Sequence, residues 1–277
     1  MVQHLKIPKE IIPDSYWENV FSEREKGKNK EFFHKFRLSW EKRLREYLKK
    51  CGNPELIKKS PISQENKEKL NNLYHSKSHS LSHVNTIKSW RDYWKKSINA
   101  CPCCGELGTP NTLDHFLPKN FFPEFSILLE NLIIMCDACQ TEKGNDYIKD
   151  GKKIYLHNYY ENINIRLFEV VIDGPANCPA SFTIKAYHEL ENDLKNKVNR
   201  HINGLGLIKR FSNYCSTEYP KIVEDARSSN NEGGDFLAEI EREVKKLNRR
   251  GKNRWPTVLY TSILENPRLV AFLTSVN

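Results

Sequence analysis

Two C-x-x-C pairs, Cys101-Pro-Cys-Cys104 and Cys136-Asp-Ala-Cys139, are separated by 31 residues. Each pair offers two thiolates from one tight turn, and four soft ligands complete a tetrahedral shell. The spacing therefore predicts one structural zinc held by Cys101, Cys104, Cys136 and Cys139. Four protein sulfurs leave no open coordination position, so this ion is expected to hold the fold and take no part in chemistry. Unbound or redox-active cysteines are the alternative. Cys103 is a spare thiol inside the first pair, and the isolated Cys51, Cys178 and Cys215 read as small buried hydrophobes.

Between the pairs lies a short alternation of elements. "TPNTLDHFLPK" reads as a strand ending at Asp114-His115 and closed by Pro118, and "EFSILLENLIIMC" as a second apolar strand around Leu132 to Met135. "DACQTEKGNDYI" reads as a helix that starts at the second cysteine pair. The order is strand, loop, strand, helix, clamped at its ends by one metal.

On either side the periodicity is helical. Residues 15–52 read as helix interrupted near Gly27, with Phe33, Phe36, Trp40, Leu44, Tyr47 and Leu48 on one stripe and Gly52 as the cap. Residues 53–82 read as a polar connector with one short helix. "NTIKSWRDYWKKSIN" is a further helix whose aromatic residues form a core stripe. His75, His79 and His83 recur every four residues, a spacing that would put them on one face of a helix; they read as solvated surface, with a metal or phosphate role as the alternative. Beyond the cysteines, "INIRLFEVVIDG" and "SFTIKAY" predict two strands, and the rest reads as helices, with "SSNNEGGD" (228–235) as a flexible loop. The expected class is α+β and mostly helical, a small zinc-stabilised ββα core between helical regions. The boundaries are a basic helical segment 1–100, a core 101–160, and 161–277 as a hairpin followed by helices.

Charge is unevenly spread. Residues 1–100 carry 22 Lys and Arg against 12 Asp and Glu, a balance of +10, and the remaining residues carry 22 against 23. A basic segment beside a possible catalytic core suits a polyanionic partner, because each neutralised phosphate releases counterions; a solvated lysine-rich surface is the plain alternative. No apolar run approaches the roughly 18 to 20 residues needed to span a bilayer, and the N-terminus lacks an apolar signal core. The expected location is the cytoplasm, where a reducing environment argues against disulfides.

The segment from Cys101 to Asn145 resembles the ββα-metal motif of HNH endonucleases in their four-cysteine zinc form: C-x-x-C, then D-H, P, N-L, and C-x-x-C followed by a polar residue and K-G. Within that family, "LDHFLPKNFFPEFSILLENLIIMCDACQTEKGN" followed by "LHNYYE" is most similar to the HNH subunit of Septu-type anti-phage systems (PtuB-like), some of them associated with retrons. The motif covers about a sixth of the chain.

The resemblance implies a role for each matching position. His115 would be the general base that deprotonates water. Asp114 would be a ligand to a catalytic Mg²⁺ or Mn²⁺, and Asn131 would tie the loop so that His115 is oriented. The position after the second cysteine pair, usually Asn or His, completes the metal site; here it is Gln140, one methylene longer than Asn, with Asn145 as a weaker substitute. Lys119 and Lys143 would contact nucleic-acid phosphate. His157 would lie near the metal or be a half-buried packing residue. The implied activity is phosphodiester hydrolysis of DNA, or of RNA such as tRNA, as the nuclease of an anti-phage system controlled by a partner ATPase (PtuA-like). A zinc-ribbon-like binding or scaffold protein with a degenerate nuclease site is the alternative that Gln140 keeps open.

Overall fold

The computed structural model describes residues 3–277. These divide into two compact units, one of Leu5–Asn99 and Thr109–Glu161, the other of Ala100–Gly108 and Asn162–Asn277 together with Gln3 and His4. The fold is α+β and mostly helical, with three two-stranded antiparallel sheets among the described residues.

In the first unit four helices precede the expected ββα: α1 (Tyr16–Arg24), α2 (Lys30–Lys49), α3 (Gln64–His75) and α4 (Ser82–Ser97). Strand β1 (Thr112–His115) pairs with β2 (Leu132–Met135), setting Asp114 opposite Ile133 and His115 opposite Leu132, and α5 (Asp137–Lys143) follows. A two-residue ladder, β3 (Ile148–Lys149) with β4 (Lys152–Lys153), closes it. Four-residue strands cannot enclose a core of their own, and the basic helices supply the missing cover. Trp40 and Tyr47 of α2 and Trp90 of α4 are almost wholly buried. The two indoles bond main-chain carbonyls of the β1–β2 region, Trp40 Nε1 to Glu124 at 2.7 Å and Trp90 Nε1 to Leu132 at 3.3 Å, and Tyr16 Oη of α1 adds a bond to Ile127 at 2.8 Å. The division at residue 100 expected from sequence is therefore corrected. The apolar stripes of α2 and α4 make the N-terminal helices and the ββα segment one unit, while Ala100–Gly108 belongs with the C-terminal residues.

The second unit is built on β5 (Phe168–Asp173) paired with β6 (Ser181–Ala186). Phe182, Ile184 and Ala186 are the buried positions of β6, alternating with exposed residues; β6 packs with α6 (Asn192–Gly204) and α7 (Leu207–Asn231), and β5 with α9 (Trp255–Leu264). Helix α8 (Phe236–Arg250) is capped by the Asp235 side chain at Ala238 N–H, and α10 (Pro267–Leu273) by Asn266. Helix α7 continues to Asn231, so the loop expected at 228–235 begins only after it.

Three further expectations are corrected. His75 ends α3 and His83 lies in α4, so the three histidines share no helix face. His83 is fully buried, with Nε2 donating to the Leu73 carbonyl at 3.1 Å, instead of solvated. Of the isolated cysteines only Cys215 is buried; Cys51 and Cys178 are exposed.

Candidate metal and catalytic site

The four sulfurs of Cys101, Cys104, Cys136 and Cys139 lie within 4.8 Å of one another. Thiolates 2.3 Å from a common zinc ion sit about 3.8 Å apart in a tetrahedron, so this set fits a structural zinc. Local hydrogen bonds shape both turns: Cys101 N–H to the Glu106 carbonyl, Gly105 N–H to that of Cys101, and Gln140 N–H to that of Cys136. Gly105 takes φ +87°, a left-handed conformation that favours glycine. Arg210 donates to Cys104 Sγ at 3.6 Å and pairs with Glu106. The carbonyls of Cys103 and Cys104 accept from His201 Nε2 and Trp255 Nε1, both at 2.7 Å. Cys103 itself is buried.

Asp114 and His115 end β1. His115 is 4 % exposed, and burial lowers its pKa to about 4; the Ser126 carbonyl and Asp114 oppose the shift, while Lys119 and Lys143 reinforce it. Its Nε2 lies 2.9 Å from the Ser126 carbonyl oxygen. A carbonyl only accepts, so Nε2 carries the proton and Nδ1 is the basic nitrogen. The imidazole is thus neutral at pH 7, with its tautomer set.

Lys143, the last residue of α5, is only 3 % exposed. Its ammonium is 2.8 Å from Asp114 Oδ2 and donates to the His115 carbonyl at 2.8 Å. Its partners are thus internal to the unit, where the sequence reading had it facing phosphate. Helix α5 carries the cation at its C-terminal end, where the dipole favours positive charge.

Asn131 is fully buried and saturated. Its Oδ1 accepts from Leu117 N–H at 2.8 Å, and its Nδ2 donates to the carbonyls of Leu117 at 3.0 Å and Phe125 at 3.2 Å. This amide spans the loop between β1 and β2. A relay continues behind it. His157 Nδ1 accepts from Tyr159 N–H at 3.3 Å, Nε2 then carries the proton and meets Tyr47 Oη at 3.1 Å, and Tyr47 Oη donates to Asn131 Oδ1 at 3.1 Å. His157 is wholly buried, more deeply than the sequence suggested, and burial holds its pKa well below the ordinary value. A Cβ at Gly52 would fall 2.6 Å from Tyr47 Oη, and its φ of +64° also requires glycine.

Gln140 lies in α5, half-exposed, and among the described residues its side-chain amide makes no hydrogen bond. Asn145 instead accepts from Asn120 Nδ2 at 3.0 Å. Lys119 lies over the Tyr74 ring, 5.2 Å from its centroid, and the Tyr74 ring is 4.5 Å from that of His115. Tyr74, Tyr47 and Arg91 are the site neighbours that motif reading did not find. They lie on helices, 24 or more residues before His115, and only the helical stripes of α2 to α4 signalled that those helices would be packed at all.

No protein-family profile matches the chain, and no solved structure matches it. The chain is similar to the protein ea31 of Escherichia phage lambda, 28 % identical over 141 residues, which are 50 % of this chain and 48 % of the phage protein. The matched stretch thus spans about half the length of that relative. No helix among the described residues is long and apolar enough to cross a membrane.

Proposed function

We propose that this protein is a metal-dependent endonuclease of the HNH type, which hydrolyses phosphodiester bonds of DNA or RNA. The observation that carries the reading is His115: a buried imidazole, neutral at pH 7, with Nε2 anchored on the Ser126 carbonyl, next in the chain to a carboxylate on the same strand. A purely structural hairpin has no need of that pair at that place.

In this mechanism His115 Nδ1 takes a proton from the attacking water. The water oxygen forms a bond to phosphorus in line with the P–O3′ bond, which breaks to leave a 5′-phosphate and a 3′-hydroxyl once the departing oxygen is protonated by solvent. The transient imidazolium is stabilised by the Ser126 carbonyl and the Asp114 carboxylate, the two groups that oppose its desolvation. Asn131 holds the loop so that Ser126 stays where His115 needs it.

Asp114 and Gln140 offer hard oxygen donors suited to Mg²⁺ or Mn²⁺. Asp114 and Gln140 would hold such an ion, which would supply charge neutralisation at the phosphate and the leaving oxygen. Asp114 is now paired with Lys143, and would have to loosen that contact to serve as a ligand.

From the resemblance of the motif to Septu-type HNH subunits, the biological role would be anti-phage defence, in the cytoplasm, under control of a partner ATPase. Gln140 favours a second reading, a nucleic-acid-binding protein that no longer cuts. Purified protein with its own zinc, incubated with plasmid DNA, single-stranded DNA and total tRNA in Mg²⁺ or Mn²⁺, separates the two. The first reading predicts metal-dependent cleavage of at least one substrate, with or without the ATPase. Binding that persists without cleavage in either setting supports the second.

A further inference from the structure

Tyr74 is the last but one residue of α3, and its side chain forms one wall beside His115. The ring meets the imidazole edge-on, with centroids 4.5 Å apart, and the hydroxyl donates to the Leu113 carbonyl on β1 at 3.0 Å. Both ends of the side chain are therefore fixed against the strand that carries Asp114 and His115. Two cations meet this wall. Lys119 Nζ lies 5.2 Å from the ring centroid, and the positive charge of Arg91, from α4, acts on the Tyr74 hydroxyl and favours its ionised form.

These two cations lack a counter-charge in ion-pair contact. Three others in the same unit meet carboxylates: Arg43 with Glu124 at 2.8 Å, Lys143 with Asp114 at 2.8 Å, and Lys153 with Glu161 at 2.7 Å. Neither Arg91 nor Lys119 has such a partner among the described residues, and the buried Arg91 Nε makes no hydrogen bond. Burial also lowers the Lys119 pKa, with Asp114 alone opposing, as for a cation partly stripped of water. Partly buried cations without an ion-pair partner beside a base carry a desolvation cost that an incoming anion relieves.

We propose that Arg91 and Lys119, set around Tyr74, seat a backbone phosphate of a nucleic-acid strand beside His115. The ligand class follows from the donors. A phosphodiester has two non-bridging oxygens and accepts from a guanidinium and an ammonium together, and phosphate contacts of this kind place a strand without reading its bases. The seat comes from α3, α4 and the loop after β1, so the helices that cover the ββα unit also position its substrate. The inference rests on the nuclease reading for its biological purpose, but its test does not depend on cleavage.

That test is fluorescence anisotropy of a labelled 20-nucleotide single strand with the full chain, zinc in place and no added divalent ion, across a salt series. Arg91→Met and Lys119→Met are compared with wild type and with His115→Ala. Loss of one charged contact is expected to weaken binding about five- to tenfold and to reduce the slope of log affinity against log salt by about 0.7. His115→Ala is expected to bind as wild type does. If Arg91→Met does not fold, Arg91→Lys keeps the charge, loses the fork, and should fall in between. Wild-type affinity and salt slope in both Met variants would overturn the proposal, even if His115→Ala abolished cutting. Weakened binding in a protein that never cuts would uphold the seat while the nuclease reading fell.

Discussion

The β1–β2 and β5–β6 hairpins are both antiparallel pairs covered by helices, yet they fill their buried positions differently. On β6 the inward side chains are Phe182, Ile184 and Ala186, and β5 contributes Phe168, Val170 and Ile172. On β1 the inward position after Leu113 is His115, and the residue leading into β2 is the buried Asn131. Each of these polar groups is held by named partners, with Ser126 on the imidazole and Leu117, Phe125 and Tyr47 on the amide. Apart from Glu169 on β5, which is paired with Lys185 and His188, one hairpin gives its buried positions to apolar side chains and makes a core. The other departs from that pattern where a reactive group has to be oriented, and its surroundings compensate.

The comparison is most severely tested at the metal. Replacing Cys139 by Ser removes one ligand from the tetrad. The account predicts loss of bound zinc and collapse of the ββα segment, since site formation in such small units contributes on the order of 10 kcal/mol. Zinc analysis with circular dichroism would check it; a zinc-free variant with a native melting profile would show the tetrad to be dispensable.

Next in size is a pair of truncations, one per hairpin. Asn131→Ala leaves buried loop groups without partners, at about 1–3 kcal/mol each, and should also lower any cleavage rate because the Ser126 anchor is released. Phe182→Ala should cost about 3–5 kcal/mol through its cavity and leave the rate per folded molecule unchanged. Urea melts with activity normalised to the folded fraction would distinguish them. Equal effects on rate would erase the contrast.

Taken per pH unit, a smaller effect appears on acidification. His115 and His83 are both held near pKa 4 in the folded protein, largely by burial, against an ordinary value of 6.5. Between those values the unfolded chain binds more protons, so stability rises with pH across that window and is lost on acidification, by about 1.4 kcal/mol per pH unit for each imidazole. Amide exchange in β1–β2 should accelerate relative to β5–β6 as pH falls from 6.5 to 4.

Much of this was legible in the chain. The period-3.6 stripes of α2, α4 and α8 and the period-2 pattern of β6 declare their faces locally, and the two C-x-x-C turns declare a shared ion by spacing. The resemblance picked out Asp114, His115 and Asn131 for particular roles. The burial of His83, the relay from His157 through Tyr47 to Asn131, and the wall at Tyr74 were not legible. Each depends on packing between helices and the ββα segment, and Tyr47 and Asn131 are 84 residues apart. The same long-range packing explains why Lys143, which follows the helix motif as any surface lysine would, ends inside against Asp114. Cys51 and Cys178 show the converse error, in which a residue's usual preference for burial was overridden by its position at a turn or loop.

The central claim is that His115 is there for chemistry. The direct measurement is the cleavage rate of His115→Ala against wild type on whichever substrate the wild type cuts, with both proteins zinc-loaded and shown to be folded. The account predicts a fall of about 10²- to 10⁴-fold with strand binding retained. A rate equal to that of wild type would contradict it and leave the buried imidazole as a packing residue.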